Sequence, residues 1–288
     1  MNKVEETEWL YEIKPKGKFI DLNFKEIWRY RDLLFLFVKR DIVTVYKQTV
    51  LGPLWYLIQP LFTSVIFTLV FNNVAGIQTG TVPPFLFNLA GITLWSYFKE
   101  CLTNTSSTFS SNASLFSKVY FPRVVSPLSR IISSLFKFGI KLLIFTLFFL
   151  YFLFYEKEDI SVGHTFYLLP LAILTVAMLG LGVGMMLSAI ATKYRDVKIL
   201  ISFGMQLLLY LSAVMYPLAL VKEKLSNYAW VVEYNPIAQV VEAYRYMLLN
   251  TGSPNVKGLF ISLGLSIVFV LFGLIIFNKT EKTFIDTV

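Results

Sequence analysis

The sequence predicts an all-α integral membrane protein with six transmembrane helices, and three observations support this fold class. Apolar residues make up 56% of the 288 residues and charged residues only 15%, and the mean hydropathy is +0.64. A water-soluble domain of this length needs a more charged surface. The chain contains six apolar runs close to the roughly 20 residues that a helix needs to cross a bilayer. Its lysines and arginines are concentrated in alternate segments between those runs.

The N-terminal part is predicted to be a tail followed by a helix in the membrane interface. Residues 1–22 mix glutamate with lysine and contain neither the apolar stretch nor the cleavage site of a signal peptide, so we expect a cytoplasmic tail. Residues 23–46 have apolar side chains at helical spacing opposite basic ones, which is typical of an amphipathic interfacial helix. Asn23 and Glu26 are spaced as a capping pair. A plain charged membrane anchor would show the same pattern.

The transmembrane domain is predicted to occupy residues 47–278, followed by a cytoplasmic tail at residues 279–288. Its spans are predicted at residues 50–71, 85–102, 128–155, 166–191, 199–220 and 258–277. With the amino terminus inside, 17 lysines and arginines fall in cytoplasmic segments and five in segments on the opposite side. This positive-inside pattern puts both termini in the cytoplasm. The net charge of +8 is therefore mostly a topology signal, and we expect no nucleic acid partner.

The cytoplasmic link between the second and third spans is predicted to contain a short helix at about residues 112–121. Asn112 is a good helix cap, and Pro122 ends the pattern. One face of this helix is apolar and carries Leu115, Phe116, Val119 and Tyr120. A short apolar face in the cytoplasm indicates a binding surface for a partner. The alternative is that the link folds back onto its own spans.

A second cytoplasmic connection, at residues 192–198, is a tight charged turn that contains Arg195 and Asp196. Basic residues in such a turn are also what sets membrane topology. On charge alone, this turn is as consistent with setting the membrane topology as with contacting a partner.

The outer segment at residues 221–257 is predicted to dip into the membrane without crossing it. Pro217 closes the fifth span, and Asn235 with Pro236 has the form of a helix start, with a cap followed by proline at the first helical position. The helix that follows is too short to cross a bilayer and contains Arg245. An ordinary loop helix would look much the same.

Four motifs, in order, resemble one transporter family. They are WRYRDLLFLFVKRDIVTVYKQTVLGPLWYLIQP at residues 28–60, KVYFPR at 118–123, YRDV at 194–197, and Asn235-Pro236 followed by Arg245. On these motifs the chain resembles the membrane permeases of ABC transporters that export polysaccharides and polyol phosphates, including O-antigen and teichoic acid exporters. The resemblance extends from about residue 13 to residue 277.

The resemblance implies an assembly and a cargo. Members of this family pair two copies of the permease with two copies of a cytoplasmic ATPase, which binds ATP and magnesium, in the bacterial inner membrane. We therefore expect a homodimer in membrane lipid that binds no cofactor of its own and exports a lipid-linked glycan. O-antigen is the cargo we favour, with teichoic acid or capsular polysaccharide as alternatives.

The resemblance also implies roles for the segments outside the spans. The link helix corresponds to the coupling helix that contacts the ATPase, and the charged turn flanks the same contact. The residues expected there are Asn112, Leu115, Phe116, Lys118, Val119, Tyr120, Arg195 and Asp196. The outer segment corresponds to a periplasmic gate formed by Tyr216, Pro217, Asn235, Pro236 and Arg245.

The third span carries three basic residues on one face, Arg130, Lys137 and Lys141. Cations this deep in a membrane are costly and usually face protein or water. One hypothesis is that they line the substrate path and attract phosphate groups of the lipid carrier or polymer. The alternative is that the lysines pair with Glu100 on the second span.

Aromatic rings are further candidates for the substrate path, because sugars stack on them. The candidates are Trp55, Tyr56, Trp95, Tyr97 and Phe98. The alternative is that these rings pack in the protein or lie in the aromatic belts of the membrane interface.

Other classes of protein have little support in the sequence. An enzyme would need a catalytic or metal cluster, but the single histidine, His164, is in an outer loop and the single cysteine, Cys101, is in an apolar run. The dipeptide Gly17-Lys18 lacks the other residues of a phosphate-binding loop, so we expect ATP hydrolysis on a separate chain. An ion-coupled secondary transporter is the alternative, although inverted repeats and several midplane acidic residues would then be expected.

Overall fold

The protein is helical in the part of the chain that its computed structural model describes, which is residues 24–47, 52–116, 118–119, 121–194, 196–224 and 227–284. The predicted tail at residues 1–22 and Asn23 of the predicted capping pair lie outside these residues. In chain order the helices are α1 (Phe24–Arg29), α2 (Arg31–Lys47), α3 (Trp55–Phe67), α4 (Pro84–Ser106), α5 (Thr108–Ser111), α6 (Ala113–Phe116), α7 (Val125–Phe154), α8 (Leu169–Lys193), α9 (Val197–Leu211), α10 (Leu218–Lys224), α11 (Ala229–Glu233), α12 (Pro236–Leu249) and α13 (Val256–Phe284).

Four helices are long and apolar enough to cross a membrane. They are Trp55–Val74, Val125–Phe154, Phe166–Lys193 and Val256–Glu281. These four coincide, apart from a few residues at their ends, with the predicted first, third, fourth and sixth spans. The predicted second span is α4, which has 23 residues but contains Asn88, Lys99 and Glu100 and is therefore less apolar.

The helix in the predicted fifth span is shorter than expected. The sequence predicted a span at residues 199–220, whereas α9 ends at Leu211 after 15 residues, so the helix covers only part of the predicted span. Ala213 has a φ of +50°, in the left-handed region, which interrupts the helical hydrogen-bond pattern. Residues 212–217 then follow an irregular path to α10.

Helix α8 lies between α4 and α13, and glycines bring the three backbones close together. The spacing of Gly180 and Gly184 predicts a close-packing face, and the structure confirms it: a Cβ at either position would lie 2.6 Å from the Cβ of Cys101 or Thr105 on α4. A second contact was not predicted. Gly182 of α8 lies against the backbone of α13. A Cβ added at Gly182 would be 2.5 Å from the carbonyl carbon of Phe269.

The C-terminal part of Trp55–Val74, the first of these four helices, changes from an α-helix to a π-helix at Thr68–Val74. Such turns are rare. Asn88, which is fully buried on α4, donates to two side chains of this segment, to Thr68 Oγ1 at 3.1 Å and to Asn72 Oδ1 at 2.9 Å, and Asn72 in turn donates to the carbonyl oxygen of Ile77 at 2.7 Å. This amide pair fastens α3 to α4.

The interfacial helix predicted at residues 23–46 is divided at Tyr30 into α1 and α2. α2 packs against the start of α7. Phe37 is buried there, and Asp41 forms an ion pair with Arg130 at 3.1 Å. The helix is thus attached to the bundle by an apolar and a charged contact.

Two ends of the bundle carry the predicted sites. The α12 end is formed by α10, α11, α12 and residues 212–217, and the α2 end by α2, α5, α6 and the link at residues 107–124.

Candidate functional site

Arg245 is the centre of the α12 end. It is fully buried and its Nη1 donates to the carbonyl oxygen of Ala213 at 2.7 Å, while Nη2 donates to that of Val214. The guanidinium lies over the Phe87 ring of α4, with its carbon 3.7 Å from the ring centroid. Arg245 thus satisfies carbonyl groups that the end of α9 leaves without helical partners.

Asn235 acts on the same helix end from the other side. Its Nδ2 donates to the carbonyl oxygen of Leu211 at 2.9 Å and to Ser212 Oγ at 3.2 Å, and its Oδ1 accepts from the backbone N–H of Ile237 at 3.0 Å. The last contact confirms the predicted helix start at Pro236. One side chain therefore caps α12 and the end of α9 together.

The predicted gate residues are brought together by these contacts. The carbonyl oxygen of Tyr216 accepts a long hydrogen bond of 3.4 Å from Arg245. The Tyr216 hydroxyl donates to the carbonyl oxygen of Tyr210. Pro217, the next residue, precedes α10. The motif Asn235-Pro236 with Arg245 is therefore a clamp on residues 211–216, which we call the α9 clamp.

Sequence reasoning missed three residues of this region. Gly91 of α4 leaves space for the guanidinium, because a Cβ there would collide with Nη2 of Arg245 and lie 2.9 Å from the carbonyl oxygen of Val214. Phe87 provides the ring under Arg245. Glu242 is buried on α12; burial raises its pKa, and the positive charge of Arg245 opposes that shift. The partners of Gly91 and Phe87 are distant in sequence, so no local pattern points to these two, whereas Glu242 lies three residues before Arg245 on the same helix.

The link at the α2 end is held by an aromatic cluster. The rings of Phe37, Phe109, Phe116, Phe121 and Phe277 come from α2, the link and α13 and pack together with centroid distances of 4.5 to 6.0 Å. Asn112 is also buried and donates to Ser126 Oγ at 2.9 Å. Asn112 and Phe116, both predicted to contact a partner, therefore point into the protein.

Part of the predicted docking surface is nevertheless exposed. Val119 is 53% exposed, Lys118 and Asp196 are exposed, and Leu115 is half-buried. The observed helix, Ala113–Phe116, is shorter than the predicted 112–121. The remaining two predicted residues, Tyr120 and Arg195, lie outside the described residues.

Arg123, the last residue of the KVYFPR motif, ties the link to the end of α13. Its Nη1 donates to the carbonyl oxygen of Glu281 at 2.7 Å, and its guanidinium lies over the Phe116 ring at 5.3 Å. Burial lowers the pKa of Arg123, and Glu281 opposes this shift. The sequence contained the residue but did not indicate this partner.

The two lysines of α7 differ in their surroundings. Lys141 is buried, and its Nζ lies 2.6 Å from Oε1 of Glu100 and 2.9 Å from Oγ of Ser96. Lys137 lies farther from Glu100, with 3.9 Å between Nζ and Oε2, and its Nζ is 5.3 Å from the centroid of the Tyr56 ring. The predicted pairing with Glu100 is thus observed, but it is close for Lys141 and loose for Lys137.

A cavity of about 410 Å³ opens beside this cluster, between α3, α4, α7 and α9. Its polar lining includes Gln59, Thr63, Ser96, Lys99, Glu100 and Lys141. Trp95, a residue predicted for the substrate path, also lines it but is 5% exposed. The rest of the lining is apolar, with Pro60, Phe67, Ile92 and Leu209.

Other residues predicted for the substrate path lie elsewhere. Tyr97 and Phe98 are buried in the protein core, where the Tyr97 ring packs on Phe138 with centroids 5.0 Å apart, so neither ring has a free face. Arg130 is paired with Asp41 at the α2 end. Trp55 is 51% exposed at the start of α3. The buried positions correct the prediction, because α4 packs on several sides and its aromatic residues fill the core.

Within the described ranges, no group of three or more His, Cys, Asp or Glu side chains is placed to hold a metal ion.

Comparison with known proteins identifies the family. A family model described as ABC-2 type transporter matches residues 32–249, from α2 to the end of α12. Two O-antigen export system permease proteins RfbA from Klebsiella pneumoniae are 29% and 28% identical over 255 and 256 residues, which is 88% of this chain and 94% of each relative. A protein of the same name from Myxococcus xanthus is 24% identical over 264 residues, 92% of this chain and 98% of the relative. The chain therefore belongs to the ABC-2 type transporter family.

Proposed function

We propose that the chain is the permease subunit of an ABC exporter that moves lipid-linked O-antigen across the bacterial inner membrane. The observation that carries this proposal is the similarity to O-antigen export permeases over nearly the whole length of both chains. The polar cavity between α3, α4, α7 and α9 supports it, because a hydrophilic polymer needs a polar path through the bilayer.

In this proposal six helices cross the membrane: α3, α4, α7, α8, α9 and α13. α4 has the necessary length, and α9 crosses together with the irregular residues that follow it. The positive-inside bias assigns the α2 end, and both termini, to the cytoplasm. The α12 end then lies on the periplasmic side, where the α9 clamp positions the gate segment.

The proposed assembly contains two copies of this chain and two copies of a separate ATPase that binds ATP and magnesium. The exposed part of the link supports the docking role, because Val119 is 53% exposed at the α2 end. The buried aromatic cluster and Arg123 would hold this surface rigidly against the bundle. Movement of the ATPase would thus be passed to α7 and α13 together.

Docking is tested by purifying the chain with its co-encoded ATPase. Val119→Arg should abolish co-purification and the stimulation of ATP turnover, because a charge replaces an apolar contact. Val162→Arg is the matched control, since Val162 is similarly exposed, at 49%, in the loop beside the α12 end. Equal ATPase binding by both variants would contradict the assigned docking surface.

The cargo is tested by depleting the protein in its host and detecting surface O-antigen. Loss of surface O-antigen with accumulation of the lipid-linked polymer inside the cell is the expected result. Loss of capsule or teichoic acid instead would reassign the cargo. Export that persists without the ATPase would favour an ion-coupled transporter and contradict the proposal.

A further inference from the structure

A second cavity, of about 630 Å³, lies at the α12 end between α10, α12 and α13. Its volume is within the range of about 300–1,000 Å³ that is usual for small-molecule sites. One part of its wall is polar and includes Glu242 and Lys257, and another part is apolar and includes Leu218, Ile261 and Leu265. Such a wall suits an amphiphile, a molecule with a polar head and an apolar tail.

Glu242 provides a negative charge on the polar side of this cavity. Its side chain is buried and forms no ion pair with any residue that the structure describes. Arg245 acts on it only at longer range, because both terminal nitrogens of the guanidinium donate to carbonyl oxygens after the end of α9. The backbone N–H groups of Leu218 and Ser253 interact with the carboxylate but carry no full charge. A cationic ligand would supply the neutralising charge that burial of a carboxylate requires.

Lys257 provides a positive charge at the same cavity, in the first turn of α13. It is exposed, and its ammonium group has neither an ion pair nor a hydrogen bond within the described part of the chain. Glu242 and Lys257 therefore line one cavity with opposite charges and are not paired with each other. A ligand that carries an ammonium and an anionic group close together would match both charges.

The apolar wall continues from Lys257 along one face of α13. Ile261 and Leu265 follow at intervals of four residues, which places the three side chains in one column. Both apolar residues are exposed, on a helix that is long and apolar enough to cross a membrane. The column thus passes from a basic group at the end of the helix to apolar side chains at the depth of acyl chains. A phospholipid has the same order, with its phosphate at the surface and its hydrocarbon below.

The amide side chains at this cavity are used within the protein. Gln239 donates to the carbonyl oxygen of Glu233 and accepts from Nδ2 of Asn255. Oδ1 of Asn255 accepts from the backbone N–H of Gly258 at 3.2 Å. A sugar would need such amides for its hydroxyl groups, so these contacts favour a lipid over a glycan as the ligand.

We propose that this cavity binds a phospholipid with a phosphoethanolamine head, its ammonium at Glu242, its phosphate near Lys257 and an acyl chain along Ile261 and Leu265. An ammonium donates hydrogen bonds to a carboxylate, and such charged hydrogen bonds are about twice as strong as neutral ones. The trimethylated nitrogen of phosphatidylcholine has no N–H to donate, and phosphatidylglycerol has no cationic group. The site should therefore prefer phosphatidylethanolamine to both.

Lipid binding is measured by native mass spectrometry of the full chain purified in detergent. Phosphatidylethanolamine, phosphatidylcholine and phosphatidylglycerol with identical acyl chains are added separately over a range of concentrations. We expect one phosphatidylethanolamine per chain to bind about tenfold more tightly than either other lipid. Equal binding of the three lipids would overturn the proposal. Soluble phosphoethanolamine has the head without the chains and should not displace the lipid at equal concentration, and displacement would assign the site to a soluble zwitterion instead.

Two substitutions separate the parts of the lipid head. Glu242→Gln should lower the affinity for phosphatidylethanolamine by about tenfold and leave that for phosphatidylglycerol unchanged. Lys257→Gln should weaken all three lipids by about threefold to tenfold, because each carries the phosphate. Glu223→Gln, at an exposed position of α10, and Lys279→Gln, near the other end of α13, are the matched controls and should change nothing.

Circular dichroism and gel filtration establish that each variant is folded. The comparison of the three lipids uses the unchanged chain, so it does not depend on the folding of a variant. A folded Glu242→Gln variant that still prefers phosphatidylethanolamine would refute the site. These measurements use neither the cargo nor the ATPase, so their outcome is independent of the proposed function.

Discussion

Two of the buried charged groups that the structure describes are held in different ways. Arg245, at the α12 end, is surrounded by backbone carbonyl oxygens and an aromatic face, with hydrogen bonds at fixed positions. The Glu100 cluster, beside the cavity, is an ion pair with an additional lysine at 3.9 Å. The contacts given for Arg245 are at fixed positions, whereas in the cluster Lys141 is held closely by Glu100 and Lys137 only loosely.

This difference predicts that substitutions at the two places have different consequences. Removing Arg245 leaves buried carbonyl groups without partners, so stability should fall. Removing a loosely held lysine breaks few contacts, so stability should change little. The substitutions below test this contrast, in order of expected effect.

Replacing Arg245 by alanine should give the largest effect. The carbonyl groups of Ala213 and Val214 lose their donors, and we expect the free energy of unfolding to fall by about 3–5 kcal/mol. Chemical unfolding in lipid bicelles measures it. Tyr244→Phe is the control on the same helix: the Tyr244 hydroxyl is buried without a partner among the described residues, so its removal should not destabilise. Equal stability of the two variants would show that Arg245 is not a clamp.

Gly91→Ala tests the space beside the Arg245 guanidinium. The new Cβ would collide with Nη2, and we expect a loss of about 1–3 kcal/mol in the free energy of unfolding. Gly139→Ala is the matched control on α7, where no atom lies within 4 Å of the added Cβ. If both substitutions have the same effect in the same unfolding assay, close contact at Gly91 is not required.

The two α7 lysines should differ when each is replaced by glutamine. Lys141→Gln removes the close partner of Glu100 and should cost about 1–3 kcal/mol. Lys137→Gln should cost roughly 0–1 kcal/mol, because its ion pair is long. Adding Glu100→Gln should recover part of the loss in the Lys141 variant and little in the Lys137 variant. Thermal unfolding of the four proteins in nanodiscs measures these differences, and equal losses would contradict the asymmetry.

The Asp41–Arg130 pair should give a small effect, similar in size to that of Lys137. It joins α2 to α7 at the α2 end and is partly exposed, with side-chain exposures of 8% and 22%. A double-mutant cycle with Asp41→Asn and Arg130→Gln should give a coupling energy of about 1 kcal/mol. A coupling near zero would mean that Phe37 alone attaches the interfacial helix.

Local features of this protein could be predicted from its sequence. The start of α12 follows from a cap and a proline next to each other, and the close packing of α8 follows from glycines four residues apart. The apolar runs located the long helices because lipid selects apolar side chains along a whole span. Pairing of Lys141 with Glu100 was one of two alternatives, since the sequence does not show how α4 and α7 are rotated.

Features that depend on distant residues could not be predicted. Arg245 acts on carbonyl groups more than 30 residues away, and the same contacts end α9 earlier than its apolar run suggests. Phe116 looked like a partner-binding residue because its partners in the aromatic cluster come from α2 and α13. Tyr97 and Phe98 looked like channel residues because the sequence does not show that α4 is covered on several sides.

The length of α9 also bears on the lipid around the protein. Fifteen residues make a helix about 22 Å long, whereas the hydrocarbon layer is about 30 Å thick. With α9 as the fifth span, the irregular residues that follow it cover the remaining thickness, and Ser212, Ala213, Val214 and Met215 are buried in the protein, away from the acyl chains. Non-helical backbone is tolerated at membrane depth only where the protein shields it, so the α9 clamp allows a helix too short for the bilayer to complete a crossing.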